Sequence, residues 1–263
     1  MVDKSGFQVG RDAPSAYEAH VARFMEPFVE ALVRATVSAG DTVLDVACGT
    51  GFATRAAAVV AGPGARVEGA DINPAMLAQA RSVAENSGAQ LNWFEASALD
   101  LPFVDGEFDA VICQQGLQFF PDPAAGVREL VRVASDGGRV GATVWSAPKD
   151  SPFLYRETEM LARYGGGAQA DFSASEAQLR NWFEVGGADR VEIERVEVEI
   201  DLPPVLSYVP QHLKALPWSA GFFDLPDEQQ HSALAELETS LAEFATADGI
   251  RVPFSSYLAT ASI

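Results

Sequence analysis

The sequence predicts an α/β fold, a doubly wound and mostly parallel sheet with a helical cover, and three observations carry the prediction. Residues 42–46 form a short apolar, β-branched run that leads directly into the glycine turn Cys48-Gly49-Thr50-Gly51, which opens an Ala-rich helical stretch. Strand and helix patterns then alternate as far as Trp145, which implies right-handed crossovers and parallel strands. Beyond Trp145 the alternation loosens into helices and two long strand patterns. With 263 residues, 48% of them hydrophobic, the chain can bury one large core. One domain over 1–263 is expected. Its alternating core spans 15–146, covering and connecting helices span 147–190 and 203–248, and final strands span 191–201 and 251–262.

Taken in order, Val21, Phe24, Met25, Phe28, Val29, Leu32 and Val33 recur at helical spacing and predict one amphipathic helix over 17–37. Strands are expected over 42–47, 66–71, 91–95, 108–114 and 139–145, with helices over 52–60, 74–86 and 123–134. Pro148, Pro152 and the run Gly165-Gly166-Gly167 mark 146–172 as a helix with flexible flanks, and 175–184 reads as a helix ending near Gly186-Gly187. Residues 191–200 alternate apolar and charged side chains, broken once at Glu194-Arg195, the pattern of a strand with one wet face. Helices over 206–218 and 227–245 and a last strand over 251–263 complete the chain, and no repeat or heptad pattern appears.

The glycine turn carries the chemistry. Gly49 and Gly51 can adopt backbone angles closed to other residues and leave no Cβ in a ligand's way. About twenty residues on, the second strand ends in Asp71, where a carboxylate can accept both hydroxyls of a ribose. A nicotinamide fingerprint asks for a third glycine at position 54, where this chain has Thr54. The carboxylate of Asp45, just before the turn, suits a cofactor bearing an ammonium group better than a pyrophosphate, which seeks a bare helix N-terminus.

These residues resemble the class I S-adenosylmethionine (SAM)-dependent methyltransferases. Asp45-Val46-Ala47-Cys48-Gly49-Thr50-Gly51 is similar to their first motif and Ala70-Asp71-Ile72-Asn73-Pro74-Ala75-Met76-Leu77 to their second. The likeness continues through 95–103, 108–114 and 130–140 and covers roughly residues 15–146, with most similarity to the small-molecule enzymes of ubiquinone and menaquinone biosynthesis, the type 11 methyltransferase domain. It implies a Rossmann-like sheet that binds SAM and releases S-adenosylhomocysteine (SAH). By the same resemblance Asp45, Ala47, Gly49 and Gly51 meet the methionine part, Asp45 near its amino group, and Thr50 adds a hydroxyl contact. Asp71 holds the ribose, Ile72 and Met76 face the adenine, and Ala98 and Leu99 offer backbone to its edge. Ser97 stands where an Asp often binds the exocyclic amine. Gln114 lies beside the methionine, and Tyr17 either closes over the cofactor or only packs.

Composition fits that expectation. A net charge of −19 argues against nucleic acid, which needs clustered Lys and Arg. No apolar run approaches the ~20 residues of a membrane span, and residues 1–10 lack a signal-peptide core, so a cytoplasmic protein is expected. Cys48 and Cys113 match no metal spacing and read as reduced thiols, and no metal is expected.

Residues 114–122 leave the fourth strand and should line the reaction chamber, with one of Phe119 and Phe120 in the core. Many relatives place a histidine near position 118, whereas this chain offers Gln118, an amide that can orient an acceptor without taking its proton. His20, one helical turn from Tyr17, is the candidate base, and His212 and His231 read as surface histidines. Phe153, Tyr155, Tyr208, Trp218, Phe222 and Phe223 enrich the cover and point to a small apolar or aromatic acceptor. In-line displacement then needs alignment and exclusion of water, and a base only where the accepting atom starts protonated. O-, N- and C-methylation stay open, as does the oligomeric state. A nicotinamide oxidoreductase and a non-catalytic SAM-binding protein are the alternatives.

Overall fold

A computed structural model describes residues 13–87, 91–164 and 172–263. Among these residues seven strands, β1 (Val43–Val46), β2 (Val67–Asp71), β3 (Asn92–Glu95), β4 (Phe108–Gln114), β5 (Ala134–Trp145), β6 (Glu192–Leu202) and β7 (Ile250–Ser262), form one sheet in the order β3-β2-β1-β4-β5-β7-β6. Neighbours from β3 to β5 are parallel, while β7 runs antiparallel to both β5 and β6. Strand order reverses between β1 and β4, and in such sheets the crevice beyond the carboxyl ends at that switch point takes the ligand.

The helices are α1 (Ala13–His20), α2 (Glu26–Thr36), α3 (Phe52–Ala61), α4 (Pro74–Ser87), α5 (Pro123–Val133), α6 (Pro152–Arg163), α7 (Glu176–Val185), α8 (Val205–Leu213), α9 (Ala220–Phe223) and α10 (Asp227–Ser240). Successive strand residues feed opposite faces of the sheet, as the two-residue period requires. Val43, Val67, Ala110 and Ile112 pack with α2, α3, α6, α8 and α10, whereas Leu44, Val111, Cys113 and Val140 pack with α5 and α7. The close seating of α2 on β5 depends on Gly141, where a Cβ would fall 2.1 Å from Thr36 Oγ1.

Several boundaries differ from expectation. The single helix over 17–37 is two: α1 stops at His20, Ala22–Met25 form a 3₁₀ turn, and α2 restarts at Glu26. Pro27 sits in the first turn of α2, where its missing N–H costs nothing; inside a continuous helix it would break the ladder. The helix over 206–218 ends at Leu213, where the Ser219 hydroxyl reaches back to the carbonyls of Leu213 and Leu216, which also accept the backbone N–H groups of Leu216 and Ser219. The helix expected over 227–245 stops at Ser240 and passes into a 3₁₀ turn, Ala242–Phe244. The glycine run 165–167 lies outside the described residues. β6 keeps its charged side exposed and both cysteines are buried free thiols. No helix of the described residues is long and apolar enough to cross a membrane.

Candidate functional site

β1 ends in a chain of left-handed residues. Ala47 (φ +58°), Gly49 (φ +55°) and Gly51 (φ +78°) alternate with Cys48 and Thr50, and Gly51 N–H closes the turn on the Cys48 carbonyl at 2.8 Å before capping α3. The two glycines serve different ends. A Cβ on Gly49 would meet nothing within 4 Å and would project into open space, whereas one on Gly51 would strike the Trp93 ring at 2.3 Å. Gly51 is therefore a packing residue, and Gly49 is the one that keeps the cavity clear. Next door, at the end of β4, Gln115 is also left-handed (φ +51°). Left-handed non-glycine residues flank the switch point on both adjacent strands, a concentration of backbone strain of the kind found at functional sites.

Asp71, at the tip of β2, latches the loops. Its Oδ2 accepts the Gly49 N–H at 2.8 Å and its Oδ1 accepts the Asn73 N–H at 2.7 Å. Each oxygen retains a lone pair for a further donor. Burial raises its pKa, against the lowering effect of these backbone bonds. Asp45 is placed differently from expectation. It lies fully buried beneath the turn, off the cavity wall, with Oδ2 accepting the Thr54 hydroxyl at 2.6 Å and Oδ1 without a partner. Burial pushes its carboxyl up to about 7, with the Asp71 charge adding to the effect. Thr54, where a dinucleotide site would have glycine, thus has its own work under the loop. Thr50 is also off the wall, because its hydroxyl donates to Glu18 of α1, which Arg55 of α3 grips as well. Arg55 further donates to the Thr50 carbonyl at 2.7 Å. This clamp ties α1 to the glycine turn; Glu18 and Arg55 lie 37 residues apart and no local pattern marks them.

The switch point opens into a cavity of about 470 Å³, a size suited to a small-molecule ligand. Ten of the expected cofactor residues line it: Tyr17, Ala47, Gly49, Asp71, Ile72, Met76, Ser97, Ala98, Leu99 and Gln114. Burial, and then the neighbouring Asp71 carboxylate, hold the Tyr17 phenol protonated. The Ser97 hydroxyl accepts the Leu99 N–H at 3.2 Å, shaping the turn beside the cavity. The Gln114 amide nitrogen is buried without a hydrogen-bond partner among the described residues.

The far half of the cavity is aromatic, lined by Phe24, Phe119, Trp145, Tyr155, Phe172 and Trp218. Phe120 lines it too and also covers Gly126, so neither phenylalanine of the pair is wholly core. Of the aromatics expected in the cover, Tyr155 and Trp218 reach the cavity; Phe153 and Phe222 are core, Tyr208 is buried with its hydroxyl donating to the His20 carbonyl, and Phe223 is partly exposed. Gln118 does not reach the wall. Its amide nitrogen donates to Gln115 Oε1 at 2.8 Å, while Gln115 Nε2 donates to Ser256 Oγ at 2.7 Å, so Gln118 steadies the cavity residue Gln115 from behind. His20 faces a separate hollow shared with Gln211 and Lys214, on the other side of α1 from Tyr17's cavity.

His212 overturns the surface reading. It is buried, lines the main cavity, and has Nε2 3.3 Å from Oε2 of Glu157, itself buried and on the same wall. The signal was present in the periodicity: Val205, Tyr208, Val209, His212 and Leu213 form the buried stripe of α8, and Phe153, Glu157, Met160 and Leu161 that of α6. A titratable side chain sits on each apolar stripe where a hydrophobe would be expected. His231 is exposed, as expected.

Comparison with known proteins agrees with this geometry. Residues 43–138 match the family described as a methyltransferase domain. The chain is 37% identical over 152 residues to an uncharacterized protein of Mycobacterium tuberculosis, covering 57% of this chain and 53% of that one. It is 40% identical over 136 residues to a demethylmenaquinone methyltransferase of Thermus thermophilus, covering 50% and 61%. The chain thus spans about half to three-fifths of the length of these curated relatives. Among solved structures, the YcgJ protein of Bacillus subtilis shares the fold with a TM-score of 0.62 at 19% identity, covering 89% of this chain and 97% of that one.

Proposed function

We propose, on the premise that residues 43–138 are a class I SAM-dependent methyltransferase domain, that this chain transfers a methyl group from SAM to a small apolar or aromatic metabolite. One observation carries the reading: Gly49, with open space where its Cβ would be, and Asp71, with a lone pair left on each oxygen, face one cavity that continues into an aromatic chamber. Those features fit a nucleoside with a ribose diol and an amino-acid tail. A pyrophosphate would instead meet the Asp71 carboxylate on the cavity wall at the turn.

Bound SAM supplies a sulfonium methyl already activated toward nucleophiles. In this reading the chain itself binds, orients and dries. Asp71 takes the ribose hydroxyls, and Ile72, Met76 and Leu99 flank the adenine. Ala47 and Gly49 cradle the amino-acid tail, and the unpartnered Gln114 amide donates to its carboxylate or to the acceptor. The Phe119, Trp145 and Phe172 walls hold the acceptor's flat face and exclude water, so that most of the acceleration comes from alignment. The Thermus relative's name points to a quinone-type acceptor, which agrees in class with such walls.

Calorimetry tests the reading. SAM and SAH should bind and NAD should not, and Asp71→Ala should weaken SAH by about 1.5–3 kcal/mol through lost charge-assisted hydrogen bonds. Equal affinity of wild type and Asp71→Ala would sink the site. Radiolabelled SAM with an extract of the source cells then identifies the acceptor.

A further inference from the structure

Two buried ionisable groups on the cavity wall have polar atoms that nothing among the described residues satisfies. His212 and Glu157 are 1% and 3% exposed, their Nε2 and Oε2 lie 3.3 Å apart without the alignment of a hydrogen bond, and His212 Nδ1 and Glu157 Oε1 are likewise without partners. A buried polar group left unpaired costs free energy that a ligand's donor or acceptor recovers. The surroundings are otherwise apolar or neutral. The His212 ring packs on Phe24 of the Ala22–Met25 turn at 5.8 Å, on Phe153 of α6 at 5.7 Å and on Tyr208 of its own helix at 5.6 Å. Tyr208 is the other titratable group recorded against His212, and burial followed by the Glu157 charge keeps its phenol protonated. Glu157 is the one charged side chain recorded beside the imidazole among the described residues.

We propose that His212, steadied by Glu157, is the proton acceptor of the site, and that the methyl acceptor is a hydroxyl on an aromatic or enolic carbon. This inference rests on the SAM reading above. The aromatic walls favour a flat ring, and a phenol or enol is the flat nucleophile whose proton must leave as it reacts. As an oxygen lone pair forms the O–C bond, the C–S bond of the sulfonium donor breaks and its electron pair stays on sulfur. The O–H electron pair stays on oxygen, and the proton passes to a ring nitrogen of His212. The resulting imidazolium lies against the Glu157 carboxylate, which stabilises it and fixes the ring. Glu157 is thus a positioning residue and His212 the base.

The hydroxycoumarin umbelliferone, whose phenol and phenolate absorb at different wavelengths, tests this on protein loaded with SAH. Bound umbelliferone should ionise with a constant raised by about tenfold over that in water, one pKa unit. His212→Gln should abolish the shift with SAH affinity unchanged by calorimetry, and Glu157→Gln should reduce it. In wild type, the His212 ring ¹⁵N signals should move to those of imidazolium as umbelliferone is added, a readout that needs no variant to fold. Umbelliferone that fails to bind, binds as the neutral phenol, or ionises equally in His212→Gln would overturn the inference, as would unchanged His212 signals. Any of these with SAH still bound leaves the SAM reading standing, whereas absence of SAH binding removes both.

Discussion

The crevice between β1 and β2 and the chamber beneath the cover are halves of one cavity, yet they are built in opposite ways. On the crevice side, Ala47, Gly49 and Asp71 come from two short loops, with backbone N–H groups and one carboxylate joined over 22 residues of chain. On the chamber side, Phe24, Glu157 and His212 come from three separate elements and meet only through packing of the apolar stripes of α6 and α8. A binding site made of loop backbone leaves its imprint in consecutive residues. A reaction chamber made of helix faces leaves its imprint only as a polar residue out of place in a hydrophobic period.

The largest effect should come from Gly49→Val. The residue sits at φ +55°, where a β-branched side chain is strained by about 1–3 kcal/mol, and its branches would enter the cavity. SAH affinity should fall by more than about a hundredfold, while the melting temperature drops only in proportion to that strain. Chamber probes such as umbelliferone should still bind without SAH. A variant that binds SAH normally would break the division between the halves.

Next in size is a pH effect on the crevice side. Asp45 is buried with its carboxyl raised to about 7, against an ordinary value near 3.8. Between about pH 4 and pH 7 the folded protein therefore favours a proton on Asp45 that the unfolded chain releases. The contribution is fully present below about pH 4, declines as pH rises, and is lost above about pH 7. Asp45→Asn, which keeps an oxygen for Thr54, should flatten this slope, its gain over wild type growing from nothing near about pH 4 to a few kcal/mol above about pH 7. Thermal melts at the two ends of the window measure it. An identical slope in both proteins would mean that Asp45 stays ionised under the loop.

These two residues also show how far the sequence could be read. The sheet's parallel core, the glycine turn and Asp71 followed from local patterns, because a turn-and-carboxylate motif is specified by neighbours in the chain, whereas the other cavity residues came from the resemblance to the methyltransferases. Asp45, Thr50 and Gly51 were legible as members of the motif but not in their roles. Whether a motif residue faces the ligand or the loop's underside depends on Thr54, Glu18 and Trp93, which approach from elsewhere. His20 was favoured over His212 because a one-turn spacing to Tyr17 was visible, while the pairing of α6 with α8 that buries His212 beside Glu157 was not.

A smaller effect should follow where the halves join. Glu18 of α1 holds both Thr50 and Arg55, so ordering of the glycine turn by SAH should pass to α1. Hydrogen exchange should slow in α1 and in 203–248 when SAH binds, as for a lid closing over its ligand. Glu18→Gln should lessen the slowing in α1 and weaken SAH by about 0.5–1.5 kcal/mol, the worth of one hydrogen bond. Slowing in neither segment would mean that the cover is rigid and that the two halves act independently.

The smallest effect is expected at His20, and it sharpens the comparison most. His20 shares a helix with Tyr17, but its ring lies 6.3 Å from that of Tyr208 and faces the second hollow, apart from the cavity. The link that matters to packing, Tyr208 hydroxyl to His20 carbonyl, uses backbone and survives any side-chain change. His20→Ala should therefore leave SAH affinity unchanged and lower the transfer rate by less than about threefold, under 1 kcal/mol, with no shift in the pH profile. Single-turnover rates with labelled SAM, taken across the histidine titration range, read this directly. A loss of about a hundredfold, together with disappearance of a titration near pH 6.5, would place the base on α1. The chamber's chemistry would then come from the helix that also covers the cofactor, and the buried pair on α6 and α8 would be left as structure alone.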